Sequence, residues 1–175
     1  MPKSKKRTLI FAIQLISAAV LAAADQLIKK AAVENLRGKD DIVLIKNIIG
    51  LTYAENTGAA FSAFSNSTML LSVVTLVMLL AGVVYLFFAK IQSKIVNVGA
   101  AMILGGGIGN LIDRFARGYV VDYIETLFVD FPIYNFADIL VTCGVIMVCA
   151  YLVYEIVREE KNKRQKNGAA DDGNS

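Results

Sequence analysis

The chain has 175 residues, is 56% hydrophobic and carries 18 Lys/Arg, 15 Asp/Glu and no histidine. Together with a mean hydropathy of +0.56, this points to an integral membrane protein rather than a soluble globule. The missing histidine excludes His-based zinc sites and Ser-His or Cys-His relays, and the net charge of +3 reads as membrane topology and anionic-lipid contact, not nucleic-acid binding.

Lys3, Lys5, Lys6 and Arg7 precede an apolar run ending Ala22-Ala23-Ala24. That start has the pattern of a signal peptide with an Ala-x-Ala cleavage site. The uncharged stretch Thr8 to Ala24 has 17 residues, slightly long for a signal-peptide core and slightly short for a span. We read it as the first transmembrane helix, with Asp25 and Gln26 at its far end. Asp25 and Lys29 are i, i+4, a favourable orientation for an ion pair.

The connection over about 30–68 follows. Its segment Ile42-Val-Leu-Ile-Lys-Asn47-Ile-Ile-Gly50-Leu-Thr-Tyr53 is rich in β-branched residues and broken at Asn47 and Gly50. It predicts two or three short strands, a small sheet resting on the membrane surface. Glu55-Asn56-Thr57-Gly58-Ala59-Ala60-Phe61 then marks a turn. It is either a plain loop tip or a place where the Asn56 amide hydrogen-bonds a ligand backbone.

Met69 to Ala89 is a second span without a charge. Ile95 to Ile112 is a third, softened by Gly99, Gly105, Gly106, Gly107 and Gly109. That glycine run lies in hydrophobic sequence and lacks a following Lys-Ser/Thr, so it is no nucleotide loop. Asn110-Leu-Ile-Asp113-Arg114 closes the span, with Asn110 and Arg114 about one turn apart and able to face one side. Arg114 can snorkel to headgroups, pair with Asp113, or steer a carbonyl or phosphate.

The connection over 113–138 holds Asp122 in Val-Val-Asp-Tyr-Ile, and ends at Tyr-Asn135-Phe-Ala-Asp138-Ile. Glu125 and Asp130 are ordinary loop carboxylates, and Phe128, Val129 and Phe131 suggest a segment dipping into the interface. Ile139 to Val157 is the fourth span. Cys143 and Cys149 within it lie on different helix faces, so a disulfide between them is implausible. Residues 1–166 thus form one membrane domain of mainly α class: four transmembrane helices with a small outward-facing sheet in the first outer loop. The polar tail 167–175 is expected to be disordered.

Basic residues orient the bundle. Lys3, Lys5, Lys6, Arg7, Lys90, Lys94, Arg158, Lys161, Lys163, Arg164 and Lys166 fall on one side of a four-span chain. Lys29, Lys30, Arg37, Lys39, Lys46, Arg114 and Arg117 are spread over two longer connections on the other. The denser side is expected in the cytoplasm, with both termini.

Asp122 and Asp138 then share the outer face. Carboxylates are costly beside hydrocarbon and usually have a task or partner. Two of them 16 residues apart suggest a pair sharing one proton, able to activate water for amide hydrolysis without metal or cofactor. A proton-coupled transporter would prefer acids near mid-membrane and repeat symmetry. A non-catalytic scaffold would use Asp138 as the N-cap of the fourth helix, which leaves Asp122 unexplained.

Asp25-Gln26-x-x-Lys29, Glu55-Asn56-Thr-Gly-Ala-Ala-Phe61, Gly107-x-Gly109-Asn110-Leu-Ile-Asp113-Arg114, Val120-Val-Asp122-Tyr-Ile and Asn135-x-Ala137-Asp138 occur in that order. Any one is weak, but the ordered set over residues 8–158 resembles the lipoprotein signal peptidase family, signal peptidase II. The resemblance implies a bacterial inner-membrane aspartic protease of four helices. Such enzymes cleave prolipoproteins just before a diacylglyceryl-modified cysteine and are inhibited by globomycin. It implies Asp122 and Asp138 as the catalytic pair. Asn56, Gly58, Ala59, Asn110, Arg114 and Asn135 would line the site, with Asp25, Lys29 and Asp113 in support. Neither metal nor cofactor is implied. Prolipoproteins and membrane phospholipids would be the partners, and a monomer suffices because one chain holds every motif.

Overall fold

The computed structural model describes residues 3–58, 68–88 and 93–171. Helix α1 runs Lys3–Leu36, strand β1 Ile42–Ile45, strand β2 Ile49–Asn56, helix α2 Thr68–Phe88, helix α3 Lys94–Arg117, strand β3 Val120–Thr126 and helix α4 Phe136–Asp171. All four helices are long and apolar enough to cross a membrane, as expected from the sequence. The first continues well past Ala24. Asp25 and Lys29 do not end it because both are wholly buried and paired (2.9 Å), so neither needs water. Likewise α3 extends through Arg117, and Asp113 is enclosed. Helix α4 continues beyond Lys166, where Ala169 and Ala170 are strong helix formers. Residues 172–175 lie outside the described part.

Helix α3 is the centre of the bundle. It packs most extensively on α4, then α1, then α2. Its glycines make that possible by leaving room on three faces. Gly99 faces Gly144 of α4, where a Cβ on either would come within 2.8 Å of the other's carbonyl oxygen. A Cβ at Gly105 would meet Leu21 of α1 at 2.7 Å, and one at Gly107 would meet Leu79 of α2 at 2.7 Å. Small residues are how helices approach closely in lipid, where apolar burial gives little drive. Gln14 adds a hydrogen bond from α1 to Asn97 of α3 (3.1 Å). Ser93 caps the start of α3, and Gly118, at φ 81°, caps its end by donating to Arg114 O. Only 6% of the apolar window of α2 is buried, so its side chains form a lipid-compatible exterior. Cys143 and Cys149 are free and lie on the outer surface of α4.

The sheet is antiparallel in the order β1-β2-β3. Sequence reading places it wholly in the first connection, but β3 comes from the second. Val120-Val-Asp-Tyr-Ile-Glu-Thr126 is rich in β-branched and aromatic residues, a strand signal overshadowed by its carboxylate. Gly50 does not break the run. It sits inside β2 opposite Val43 and Glu125, and the turn falls at Asn47, φ 60°. Val121 and Tyr123 of β3 pack with Ala32 and Leu36 of α1. The long first helix therefore carries the sheet on its end.

Candidate active site

The site assembles where β3, the end of α3 and the start of α4 meet. Asp122 is buried in mid-strand, 2% exposed. It pairs with Ala54 of β2, so Asn56, two residues on, is its diagonal neighbour on the same sheet face. A register shift between Leu51 and Ala54 sets that alignment.

Asp138 is not the N-cap that its position suggests. Helix α4 starts at Phe136, which makes Asn135 the N-cap and Asp138 its third residue. The two form a reciprocal capping box. Asp138 N–H donates to Asn135 Oδ1 (3.1 Å) and Asn135 N–H donates to Asp138 Oδ2 (3.0 Å). The cap thus aims a carboxylate instead of being one.

Three asparagine amides then face the two aspartates. Asn56 Nδ2 donates to Asp122 Oδ2 (2.9 Å), Asn135 Nδ2 to Asp122 Oδ1 (2.6 Å) and Asn110 Nδ2 to Asp138 Oδ1 (2.8 Å). Each amide oxygen is held by its own donor: Gly58 N for Asn56 (3.0 Å), Asp138 N for Asn135, and Lys29 Nζ for Asn110 (2.7 Å). Asn135 also donates to Asn110 Oδ1 (3.2 Å), closing a network that contains both carboxylates. Burial is the largest influence on Asp122 and pushes its carboxyl up to about 6; the Asp138 charge adds to this, while Asn56, Asn135 and Lys29 oppose it.

Asp25, Lys29 and Asp113 form a second buried layer. Lys29 bridges both carboxylates (2.9 and 3.1 Å). Asp113 also binds Arg117 (2.5 Å) and the Val121 N–H (3.1 Å), fixing the start of β3 on α3. Asp113 therefore pairs with Lys29 and Arg117, not with Arg114 as its neighbour in sequence. Asp25 accepts the Ala137 N–H of α4 (3.1 Å), and a Cβ at Gly109 would fall on its carboxylate. Arg114 instead turns toward the aspartates. It lies in the field of both Asp138 and Asp122. Its Nη2 reaches Gly58 O at 3.5 Å, and its Nε is buried with no hydrogen-bond partner among the described residues. Ala59 lies outside them.

Three further participants escape a reading of the motifs as site residues. Gln26 binds Gly109 O (3.0 Å) and Asp113 (3.3 Å), Arg117 neutralises Asp113, and Tyr123 reaches the first turn of α4. Gln26 and Tyr123 stand inside sequence motifs, and Arg117 is i, i+4 from Asp113 on α3, so spacing was the available signal, while the contact of Tyr123 with α4 depends on tertiary structure.

Residues 17–154 match the family model described as signal peptidase (SPase) II. The chain belongs to the signal peptidase II family. It is 38% identical over 143 residues to the lipoprotein signal peptidase of Clostridium acetobutylicum, covering 80% of this chain and 93% of that one. It is 36% identical over 158 residues to the Streptococcus pneumoniae lipoprotein signal peptidase, covering 90% and 98%. A solved bacterial membrane enzyme structure superposes with a TM-score of 0.77 at 28% identity, over 83% of this chain and 90% of that one. Family membership makes the chain an aspartic peptidase that removes signal peptides from lipoproteins, and a multi-pass membrane protein.

Proposed function

We propose that this signal peptidase II hydrolyses the amide just before a diacylglyceryl-modified cysteine, with Asp122 and Asp138 as its acid–base dyad. The observation that carries this reading is the shared asparagine network: two carboxylates from different elements, each held in a fixed orientation by Asn56, Asn110 and Asn135. Asp122, with its raised affinity for a proton, supplies the proton that polarises the scissile carbonyl. Asp138, at the electropositive first turn of α4, takes a proton from the attacking water. On collapse of the tetrahedral intermediate a proton passes to the leaving amine. The products are a signal peptide ending in a carboxyl group and a lipoprotein with a free amino-terminal cysteine.

Arg114 supports oxyanion stabilisation, since its buried Nε is a donor without a hydrogen-bond partner among the described residues. Gly58, whose carbonyl Arg114 reaches, supports a substrate contact beside that guanidinium, and Ala59 follows it in the same sequence motif. A site at one end of the bundle lets acyl chains stay in the bilayer while the amide meets water. The basic-residue bias supports an outer-face site in a bacterial inner membrane with both termini in the cytoplasm. All the polar groups come from one chain, so a monomer suffices, and globomycin is the expected inhibitor.

Cleavage of a purified lipid-modified precursor tests the reading. Asp122→Asn and Asp138→Asn should each abolish cleavage while the protein still inserts, and globomycin should block the unaltered enzyme. Normal processing by either variant would sink the dyad.

A further inference from the structure

Tyr123 adjoins Asp122 in β3 and is 5% exposed. Its ring packs with Ala32, Leu36 and Val121, a role that phenylalanine would fill equally well. The hydroxyl does something else. Its Oη accepts the N–H of Phe136, the first residue of α4, at 3.1 Å.

A helix start leaves several N–H groups without intrahelical partners. At α4 the first three go to three different places: Phe136 to Tyr123, Ala137 to Asp25 and Asp138 to Asn135. Only Tyr123 comes from the strand that bears Asp122. A backbone seam runs beside it. Tyr123 N and Ile124 N both donate to Tyr134 O (3.1 and 2.8 Å), and Tyr134 N donates to Ile124 O (3.0 Å). The residue next to one carboxylate is thereby joined, by main chain and side chain, to the turn that carries the other. Burial pushes the phenol up to about 12, so it remains a neutral hydroxyl across the neutral range.

We propose that Tyr123 is a positioning residue for the dyad, its hydroxyl clamping the first turn of α4 to β3 and so setting how Asp138 faces Asp122. This rests on the dyad reading. The isosteric Tyr123→Phe change removes one oxygen and leaves the ring. Tyr53→Phe is the control. Its hydroxyl lies on the same sheet but contacts Glu55 and Tyr119, not α4.

The experiment is steady-state cleavage of a diacylglyceryl-modified precursor by purified full-length enzyme, normalised to the folded fraction. Tyr123→Phe should lower kcat roughly tenfold with KM within about twofold, because misplacement penalises the transition state more than binding. Tyr53→Phe should keep its kcat. Phe136→Pro breaks the same hydrogen bond from the helix side, at a position where proline is tolerated. Measured against Phe136→Ala, it should show the same loss, and adding Tyr123→Phe to it should change nothing further.

A normal kcat in Tyr123→Phe overturns the proposal. So does an equal loss in Tyr53→Phe, or losses that multiply in the double variant. Should Tyr123→Phe fail to fold, Phe136→Pro against Phe136→Ala decides alone, and equal kcat values there overturn it. The dyad stands or falls separately. If both aspartate variants are inactive while Tyr123→Phe is normal, only the clamp is lost.

Discussion

The ammonium of Lys29 lies 2.7 Å from the amide oxygen of Asn110, and that contact decides which end of the amide faces Asp138. A cation can only donate, so it selects the oxygen. The nitrogen is left to meet the carboxylate at 2.8 Å. Lys29 also neutralises Asp25 and Asp113. Lys29→Met should therefore destabilise the protein by about 3–5 kcal/mol, the usual result of leaving buried charge uncompensated. Thermal unfolding in detergent measures this, and a midpoint equal to the parent would show that the buried layer contributes nothing.

Asn135 serves as a cap through its oxygen and as a donor to Asp122 through its nitrogen. The two roles separate by substitution. Asn135→Ser keeps a capping oxygen and should be ~1 kcal/mol more stable than Asn135→Ala, both falling below the parent because the buried Asp122 loses a donor. Both lose the amide donor to Asp122, and both should lower kcat by about tenfold or more. Parallel unfolding and cleavage assays would show whether stability and turnover part company in this way.

The Asp122 carboxyl gives stability a definite pH slope. Its folded value of about 6 exceeds the ordinary 3.8. Between those two values the folded chain binds more protons than the unfolded chain, so stability falls as pH rises through that window. The thermal midpoint should drop from pH 4 to pH 7, and Asp122→Asn should flatten the drop. An unchanged slope in the variant would show that Asp122 titrates as an ordinary surface acid.

Gly109 is required by space. A Cβ there lands on the Asp25 carboxylate, which cannot retreat because Lys29 and the Ala137 N–H hold it. Gly109→Ala should cost ~1–3 kcal/mol, as overpacking does, and should lower cleavage by moving the α4 start. Gly82→Ala is the comparison. Its Cβ would meet nothing nearer than Leu104 at 4.0 Å, and stability should hold or rise. Unfolding midpoints of the pair give the answer.

The spans were legible because apolar length is a local property. Their ends were not: Asp25, Lys29 and Asp113 look like exits to water until their burial together is seen. The Asp25–Lys29 pair is visible as an i, i+4 spacing, but its third member, Asp113, sits on another helix. Strand β3 was hidden for a related reason. Its residues carry a local strand signal, overshadowed by Asp122, but its partner, β2, lies a whole helical hairpin earlier in the chain, and the pairing itself leaves no local trace. The residues proposed for the site stand in motifs that the sequence shows. How they touch was not legible there, and Asp138 shows the difference: one position reads as a cap, while the structure makes it the group being capped.

The order of the elements along the chain has a consequence for biogenesis. Asp122 and its asparagine partner Asn56 precede α4, as do Asn110, Lys29 and Arg114, but Asp138 and Asn135 arrive only with the last helix. A ribosome-bound chain with three helices inserted holds most of the polar framework but only one carboxylate of the proposed pair. On the proposed dyad, proteolytic competence begins only when the fourth helix docks and its N–H groups find Tyr123 and Asp25, and the nascent enzyme stays silent until then.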